Sequence, residues 1–320
     1  MNAVNQSTAP QLKPFQDDGR PRPKVSIIMP AYNRADFMRN SATMILQQTL
    51  TDLELIISDD HSTDHTPQVA AELARLDPRV RYHRPSVKGG INTVVNEGIS
   101  LSRGHYIQLC HDHDIYLPTL TEKLAEVMNR NPSVVFVHPG RQGCDHLGNP
   151  LPQAYFVCGY PEVSPGLVWR RKMLSRLASP VTGLSMIRRT ALEQVGLFDP
   201  EFGACSDIDM WLRLCAIGDV GYVNELLLFV RGREPGHAYG GVNWQILHQV
   251  IKAHRKHLPL HYQGLAYLYW KMRREIGIDT SLLIDFLNSF RHRRWNDVKS
   301  GRNYLRENGV FLSKIAGRIL

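Results

Sequence analysis

The stretch Val25–Asp60 reads VSIIMPAYNRADFMRNSATMILQQTLTDLELIISDD. Its opening run, Val25-Ser26-Ile27-Ile28-Met29, ends at Pro30 and has the character of a buried strand. A helical pattern follows from about Ala35 to Gln48, and Leu53-Glu54-Leu55-Ile56-Ile57-Ser58 is a second strand. Outward from this unit the alternation continues. A helix is predicted over 66–76, with Pro67 tolerated in its first turn, then a short strand over Arg79–His83 and a helix over Gly90–Ser102. A strand over His105–Cys110, a helix over Thr119–Asn129 and a strand over Ser133–Val137 complete the series. Strict alternation at crossover spacing predicts an α/β fold: one Rossmann-like, mostly parallel central sheet flanked by helices. Ligands of such sheets sit beyond the carboxyl ends of the strands. The polar clusters fall there: Asp59-Asp60 after the second strand, and His111-Asp112-His113-Asp114 after the fourth.

Residues 138–181 lose this rhythm, are rich in Gly, Pro and aromatics, and suit an acceptor-side loop region. A strand over 184–187, helices near 190–195 and 207–216, and strands near Gly221-Tyr222 and Leu226–Val230 finish the body, and from Asn243 the pattern is helical nearly to the end. The expected division is a flexible leader over 1–23, polar and holding four prolines, a catalytic domain over 24–260, and a basic helical C-terminal extension over 261–320.

The formal net charge is +8, but residues 251–320 carry fourteen Lys and Arg against five Asp and Glu. The basic excess therefore belongs to the tail. Anionic lipid, nucleic acid and an acidic protein could each answer it, as could plain solvation of a helical surface. Five cysteines with no CxxC pair argue against a disulfide framework and a structural zinc cluster, and fit a reducing cytosol. No apolar signal segment and no run of eighteen apolar residues is present. These features predict a cytoplasmic protein, peripheral on the inner face of the cell membrane if the tail binds lipid.

Three clusters carry candidate chemistry. Asp59, Asp60 and Asp64 lie at a strand end and the following helix start, where a carboxylate can accept from a base N–H or from ribose hydroxyls. Position favours a capping role for Asp64; for Asp60 spacing leaves function and structure even. The tetrad His111–Asp114 can ligate a divalent cation or contact phosphate, or can be a polar surface loop. Asp207 and Asp209 open a helix continuing Met210-Trp211-Leu212-Arg213, so Asp209 can pair with Arg213 at i,i+4, and Asp207 can act as a base or cap the helix.

Taken together these segments resemble the family 2 glycosyltransferases, inverting enzymes of the GT-A fold. The resemblance rests on Val25–Arg34, Asp59–Asp64, Gly89-Gly90-Ile91-Asn92 through Asn96-Glu97-Gly98-Ile99, Arg103-Gly104-His105-Tyr106-Ile107 followed by Pro118, Ile187–Thr190 with Val195-Gly196-Leu197-Phe198-Asp199, and Asp207–Arg213. It covers about 210 residues in order. It implies that Asp60 contacts the nucleoside, that Ala31 and Asn33 line its pocket, and that Asp112 helps bind the donor. It also implies that Asp207 is the base that deprotonates the acceptor hydroxyl. The family's metal motif falls on His111-Asp112-His113, which makes His113 a metal ligand, with Asp112, Asp114 and His111 supplying or orienting others.

Two departures stand out. Histidines occupy the places where the family has aspartates, so the divalent metal, Mn²⁺ or Mg²⁺ in the family's manner, meets softer donors. An ion tolerant of imidazole (Mn²⁺, Co²⁺ or Zn²⁺) fits that change. So does a metal-independent site in which Lys, Arg or protonated His hold the diphosphate. Ser206 stands where the family often has Glu, which removes a charge that would raise the pKa of the base. The implied partners are a nucleoside-diphosphate sugar and a glycan or lipid-linked glycan acceptor of bacterial surface polysaccharide synthesis; no nucleic acid is expected. A nucleotidyltransferase would want a Gly-rich loop with lysine where Ala31-Tyr32-Asn33-Arg34 stands, a nicotinamide enzyme a GxGxxG turn, and a non-catalytic nucleotide-sugar-binding protein would not need Asp207. In the tail, Arg291, Arg293, Arg294 and Lys299 beside Phe290 and Trp295, with Phe311, Ile315 and Ile319 at i,i+4 spacing, predict reversible association with an anionic membrane surface.

Overall fold

The computed structural model describes residues 9–16, 19, 21–175, 181, 184–232, 244–291 and 295–308. Elements follow in chain order as β1 (Val25–Ala31), α1 (Ala35–Leu46), β2 (Leu53–Asp59), α2 (Thr66–Leu76), β3 (Val80–His83), α3 (Gly90–Leu101) and β4 (Tyr106–Leu109). Then come β5 (Ile115–Tyr116), α4 (Leu120–Arg130), β6 (Val134–Cys144), β7 (Pro150–Phe156), β8 (Val163–Ser164) and α5 (Gly166–Leu174). The series ends with β9 (Met186–Arg188), α6 (Arg189–Val195), α7 (Ser206–Leu214), β10 (Asp219–Arg231), α8 (Trp244–His261), α9 (Gly264–Arg291) and α10 (Trp295–Asn308).

One sheet holds the strands in the order β3-β2-β1-β4-β9-β6-β10-β5, with β7 on β6 and β8 on β10. The four strands read from the opening alternation pair in parallel, Val25 with Leu53 and with Tyr106, and Leu55 with Val80. β1 and β2 are buried almost throughout, which is why their sequences are largely apolar rather than alternating. Antiparallel β9 separates β4 from β6, and β6 pairs in parallel with β10, so the sheet is mixed but mostly parallel.

Its second half is longer than the sequence pattern indicates. β6 runs on past Val137 to Cys144, and β7 returns against it as a hairpin inside the stretch read as loop. Residues 221–230, read as two short strands, belong to the single strand β10, whose register slips between Val223 and Leu226 and again before Leu228. Those irregularities break the period-two signal on which a strand is recognised.

The chain divides into two compact units, Met1–Arg170 with Pro180–Glu234, and Arg171–Ser179 with Pro235–Leu320. α8 falls in the second unit with α9 and α10. In the first unit, described residues of the expected leader make contacts with the body. Ala9 and Leu12 are buried, Leu197 N–H donates to Pro10 O at 2.7 Å, and Phe15 N–H donates to Glu193 Oε1 at 3.1 Å. Two apolar anchors spaced among prolines suffice to dock the segment, and composition does not reveal them. In the second unit, His254 of α8 is buried, with its ring nitrogens against the Val250 and Met173 carbonyls. Among the described residues no helix is long and apolar enough to cross a membrane. Of the tail residues expected to meet a membrane, Arg293, Arg294, Phe311, Ile315 and Ile319 lie outside the described residues, as does the side-chain environment of Phe290.

Candidate active site

A cleft of about 470 Å³ opens at the carboxyl ends of β1, β2 and β4, where the topology places ligands. Ala31, Asp60, His111, Asp112 and His113 line it, joined by Tyr32, Arg34, Ile91, Val94 and Arg231. Asp60 is buried; its Oδ1 accepts from Gly89 N–H at 2.9 Å and Gly90 N–H at 3.1 Å. The side chain therefore anchors the start of α3 while one edge faces the cleft. Gly90 adopts φ +76°, a conformation that glycine takes without strain, and this brings its N–H to the carboxylate.

Neighbouring Asp59 has a structural role: Ser62 donates to Oδ1 and the Tyr82 hydroxyl and Arg84 guanidinium donate to Oδ2. Asp64 is a cap, accepting from the Ala35 N–H that opens α1 and the Thr66 N–H that opens α2. Asn33, expected in the nucleoside pocket, does not line the cleft. It sits at φ 52°, its N–H donates to Ser62 Oγ at 2.9 Å, and its Oδ1 accepts from Thr63 N–H at 2.7 Å. It joins the loop after β1 to the loop after β2, and so shapes the pocket from behind.

The tetrad is organised by its carboxylates. His111 Nδ1 lies 2.9 Å from Asp114 Oδ2, and His113 Nδ1 lies 2.8 Å from Asp112 Oδ1. A carboxylate only accepts, so His111 Nδ1 carries hydrogen toward Asp114; His113 Nδ1 lies between the Asp112 carboxylate and the Arg34 guanidinium, and its Nε2 lies 3.8 Å from Asp114 Oδ1. The rings are parallel, with centroids 5.3 Å apart. Potential ligand atoms of His111, His113 and Asp114 lie within 4.8 Å of one another. Asp114 is almost fully buried behind them, and its Oδ1 accepts from Arg231 N–H at 2.8 Å, so orienting His111 is its evident task. Burial opposes the His111 imidazolium, but the hydrogen bond to Asp114 and the charges of Asp114 and Asp112 outweigh it and raise its pKa.

Two guanidiniums were not singled out by sequence. Arg34 Nη1 stands 3.1 Å from Asp112 Oδ1 and 2.9 Å from His113 Nδ1, with its side chain 40% exposed toward the cleft. Asp112 calls for a hydrogen on that Nδ1 and Arg34, a donor only, for a lone pair, so the tautomer of His113 follows from which of the two it bonds. Arg34 follows Asn33 in the loop after β1, so the strand-end rule that selected Asp60 could have selected it too. Arg231 holds the tetrad through His113 O at 2.8 Å and the β6–β7 turn through His146 O at 2.9 Å. It lies 117 residues from Asp114 in the chain, and no local signal announces it.

Asp207 stands in the first turn of α7, after a short 3-10 turn over Pro200–Cys205. It does not line the cleft directly. Burial pushes its pKa up to about 6, against the backbone N–H of Ile208, its own N–H and the nearby positive charge of His111, all of which lower it. Ser206, the departure beside it, donates its hydroxyl to Asn92 Oδ1 at 2.6 Å, and the Asn92 amide donates to Gly203 O at 2.9 Å. One turn on, Asn96 exchanges two hydrogen bonds with the Phe198 backbone. Asp209 pairs with Arg213 at 2.8 Å, and that guanidinium also donates to the Val195 and Leu197 carbonyls. The asparagines of α3 thus stitch a cleft-lining helix to the segment that carries Asp207.

The model of the family described as Glycosyl transferase family 2 matches residues 26–196, more than half of the chain. The chain belongs to glycosyl transferase family 2. Among the relatives of this family member, chondroitin synthase of Escherichia coli is 29% identical over 204 residues, which make up 64% of this chain and 28% of that protein. Hyaluronan synthase of Pasteurella multocida is 28% identical over 218 residues, 68% of this chain and 21% of that protein. The chain spans about a quarter of the length of these curated relatives. The crystal structure of S. aureus TarS 1-349 in complex with UDP-GlcNAc matches with a TM-score of 0.63 at 14% identity, over 89% of this chain and 80% of that one. The fold is therefore the GT-A fold expected of the family.

Proposed function

We propose that this chain transfers a sugar from a nucleoside-diphosphate sugar to a hydroxyl of a glycan or lipid-linked glycan, with inversion at the anomeric carbon, in bacterial surface polysaccharide synthesis. The observation that carries the reading is the pairing of a strand-end cleft, lined by Asp60, Asp112, two histidines and Arg34, with a carboxylate of raised pKa, Asp207, whose neighbour Ser206 is tied to the cleft-lining helix α3 through Asn92. The names of the relatives, chondroitin and hyaluronan synthases, support a polysaccharide product. Five free cysteines fit a cytoplasmic location.

In this mechanism Asp60 accepts from the nucleobase or ribose, with Ala31 and Tyr32 on the same wall of the cleft. Asp207 takes the proton of the acceptor hydroxyl; the oxygen attacks the anomeric carbon as the bond to the diphosphate oxygen breaks. A pKa of about 6 leaves Asp207 ionised at neutral pH yet basic enough to accept a proton. The departing diphosphate gathers negative charge, which Arg34 is placed to offset. The donor set fits a divalent metal: two imidazoles and a carboxylate whose ligand atoms lie within 4.8 Å of one another are better suited to Mn²⁺, Co²⁺ or Zn²⁺ than to Mg²⁺. Bound by His113 and His111, with Asp114 orienting and Asp112 beside them, such an ion would supply further positive charge at the diphosphate.

Thermal stabilisation by a panel of nucleoside diphosphates, each with EDTA, Mg²⁺ or Mn²⁺, tests the donor site, since a bound ligand raises apparent stability by mass action. One nucleotide standing out supports the reading. No stabilisation by any of them at millimolar concentration rejects it.

A further inference from the structure

The second unit bears an exposed apolar stripe. On α9, Leu265, Leu268, Met272 and Ile276 recur at steps of three and four, hence on one face, and are 85%, 58%, 62% and 60% exposed. Elsewhere α9 meets α8 and the residue after it: Trp270, on the side away from the stripe, stacks on Tyr262 with centroids 5.3 Å apart, and Glu275, at the edge of the stripe, pairs with Arg255. Glu275 is the only acid between Leu265 and Ile276, and it is turned to that partner.

The borders of the stripe are aromatic and cationic. Tyr269, half exposed, receives a 3.1 Å hydrogen bond from Arg273, and Lys271 stands 5.6 Å from the Tyr267 ring centroid. The unit as a whole carries seventeen Lys and Arg against five Asp and Glu. A second copy would bring the same positive surface to the contact, so self-association through this face is electrostatically opposed. A surface both apolar and anionic satisfies both features at once.

We infer that α9 lies in the surface of an anionic phospholipid bilayer. The Leu265–Ile276 stripe enters the acyl boundary while Lys271 and Arg273 meet the headgroups and Tyr269 sits between them. The inference stands on the second unit alone and is independent of the donor chemistry.

Flotation of the full chain with phosphatidylcholine vesicles, with and without phosphatidylglycerol, tests it. Wild type is expected to float with anionic vesicles, to release as salt screens the charge, and to ignore neutral ones. Leu268→Glu/Met272→Glu should weaken binding by about tenfold or more, and Lys271→Glu/Arg273→Glu by a similar factor, both on exposed positions and with unchanged circular dichroism. Absence of binding to anionic vesicles overturns the inference, as does undiminished binding by both double variants. A dimer in sedimentation velocity that the Leu268→Glu/Met272→Glu variant dissolves also overturns it, by assigning the stripe to a second copy.

Discussion

Asn92 accepts the Ser206 hydroxyl at 2.6 Å and donates to the Gly203 carbonyl at 2.9 Å, so one side chain of the cleft-lining helix α3 fixes the turn that presents Asp207. Asn92 is in this reading a positioning residue. Asn92→Ala should leave donor affinity within about twofold while lowering kcat by about tenfold to a hundredfold, the scale on which a displaced catalytic group loses rate. A loss of affinity equal to the loss in kcat would mean that α3 itself had been disturbed.

Asp207→Asn separates catalysis from stability. Turnover should fall by about a hundredfold or more with donor binding retained. Burial raises this carboxyl from its ordinary 3.8 to about 6, so its charged form is less favoured in the folded chain than in the unfolded one. Its contribution to stability is full below about pH 4 and is lost as pH rises through 6. The Asn variant escapes that loss and should be more stable near neutral pH, by about 1–3 kcal/mol. Wild-type activity, which needs the carboxylate, should decline as pH falls through about 6. Denaturant melts and a rate profile check both; a less stable Asn variant with near-normal turnover contradicts the assignment.

Asp60 faces two ways, so truncation is a blunt test. Asp60→Ala removes both the acceptor in the cleft and the anchor of the Gly89 and Gly90 N–H groups. Asp60→Asn can keep an oxygen on the glycines while losing the charge and turning a donor to the nucleoside. Calorimetric titration with the preferred nucleotide should show both variants weakened, Asn by about 1–3 kcal/mol with little change in melting temperature. Unchanged affinity in both would remove Asp60 from the nucleoside site.

Much of this arrangement can be read from the chain before it is folded. β1 and β2 are largely apolar runs, and strand ends in an alternating pattern direct attention to Asp60 and His111–Asp114, of which Asp60, His111, Asp112 and His113 line the cleft and Asp114 is buried behind them. Asp209 and Arg213, one turn apart, pair as their spacing indicates. What stays hidden depends on long-range geometry. Arg231 reaches His113 from the far end of an irregular strand, and Asn33 is turned from the cleft by loop contacts to Ser62 and Thr63. The raised pKa of Asp207 comes from burial, which the residues around it in sequence, Ser206 and Ile208, do not foretell. The hairpin β6–β7 is masked by Gly and Pro residues that look like loop.

The histidines decide the remaining question, whether cation or imidazolium faces the diphosphate. Each imidazole stands against a carboxylate and can meet the diphosphate side either through a metal held by a lone pair or through its own proton as a charge. Because Asp114 and Asp112 raise the pKa of His111, protonation competes with metal already above the pH where a free imidazole would. Metal affinity, read by titration calorimetry, should therefore weaken steadily from about pH 8 to about pH 5.5 and favour Mn²⁺, Co²⁺ or Zn²⁺ over Mg²⁺. His113→Ala should lower it by about tenfold to a hundredfold, and Asp114→Asn, which frees the His111 ring, by a similar factor. The rival arrangement reverses the trend: with EDTA present, nucleotide would bind more tightly on acidification, as two imidazoliums joined Arg34 at the phosphates. EDTA-insensitive nucleotide binding that strengthens toward low pH, and is lost in His113→Ala, would replace the metal with the protonated pair.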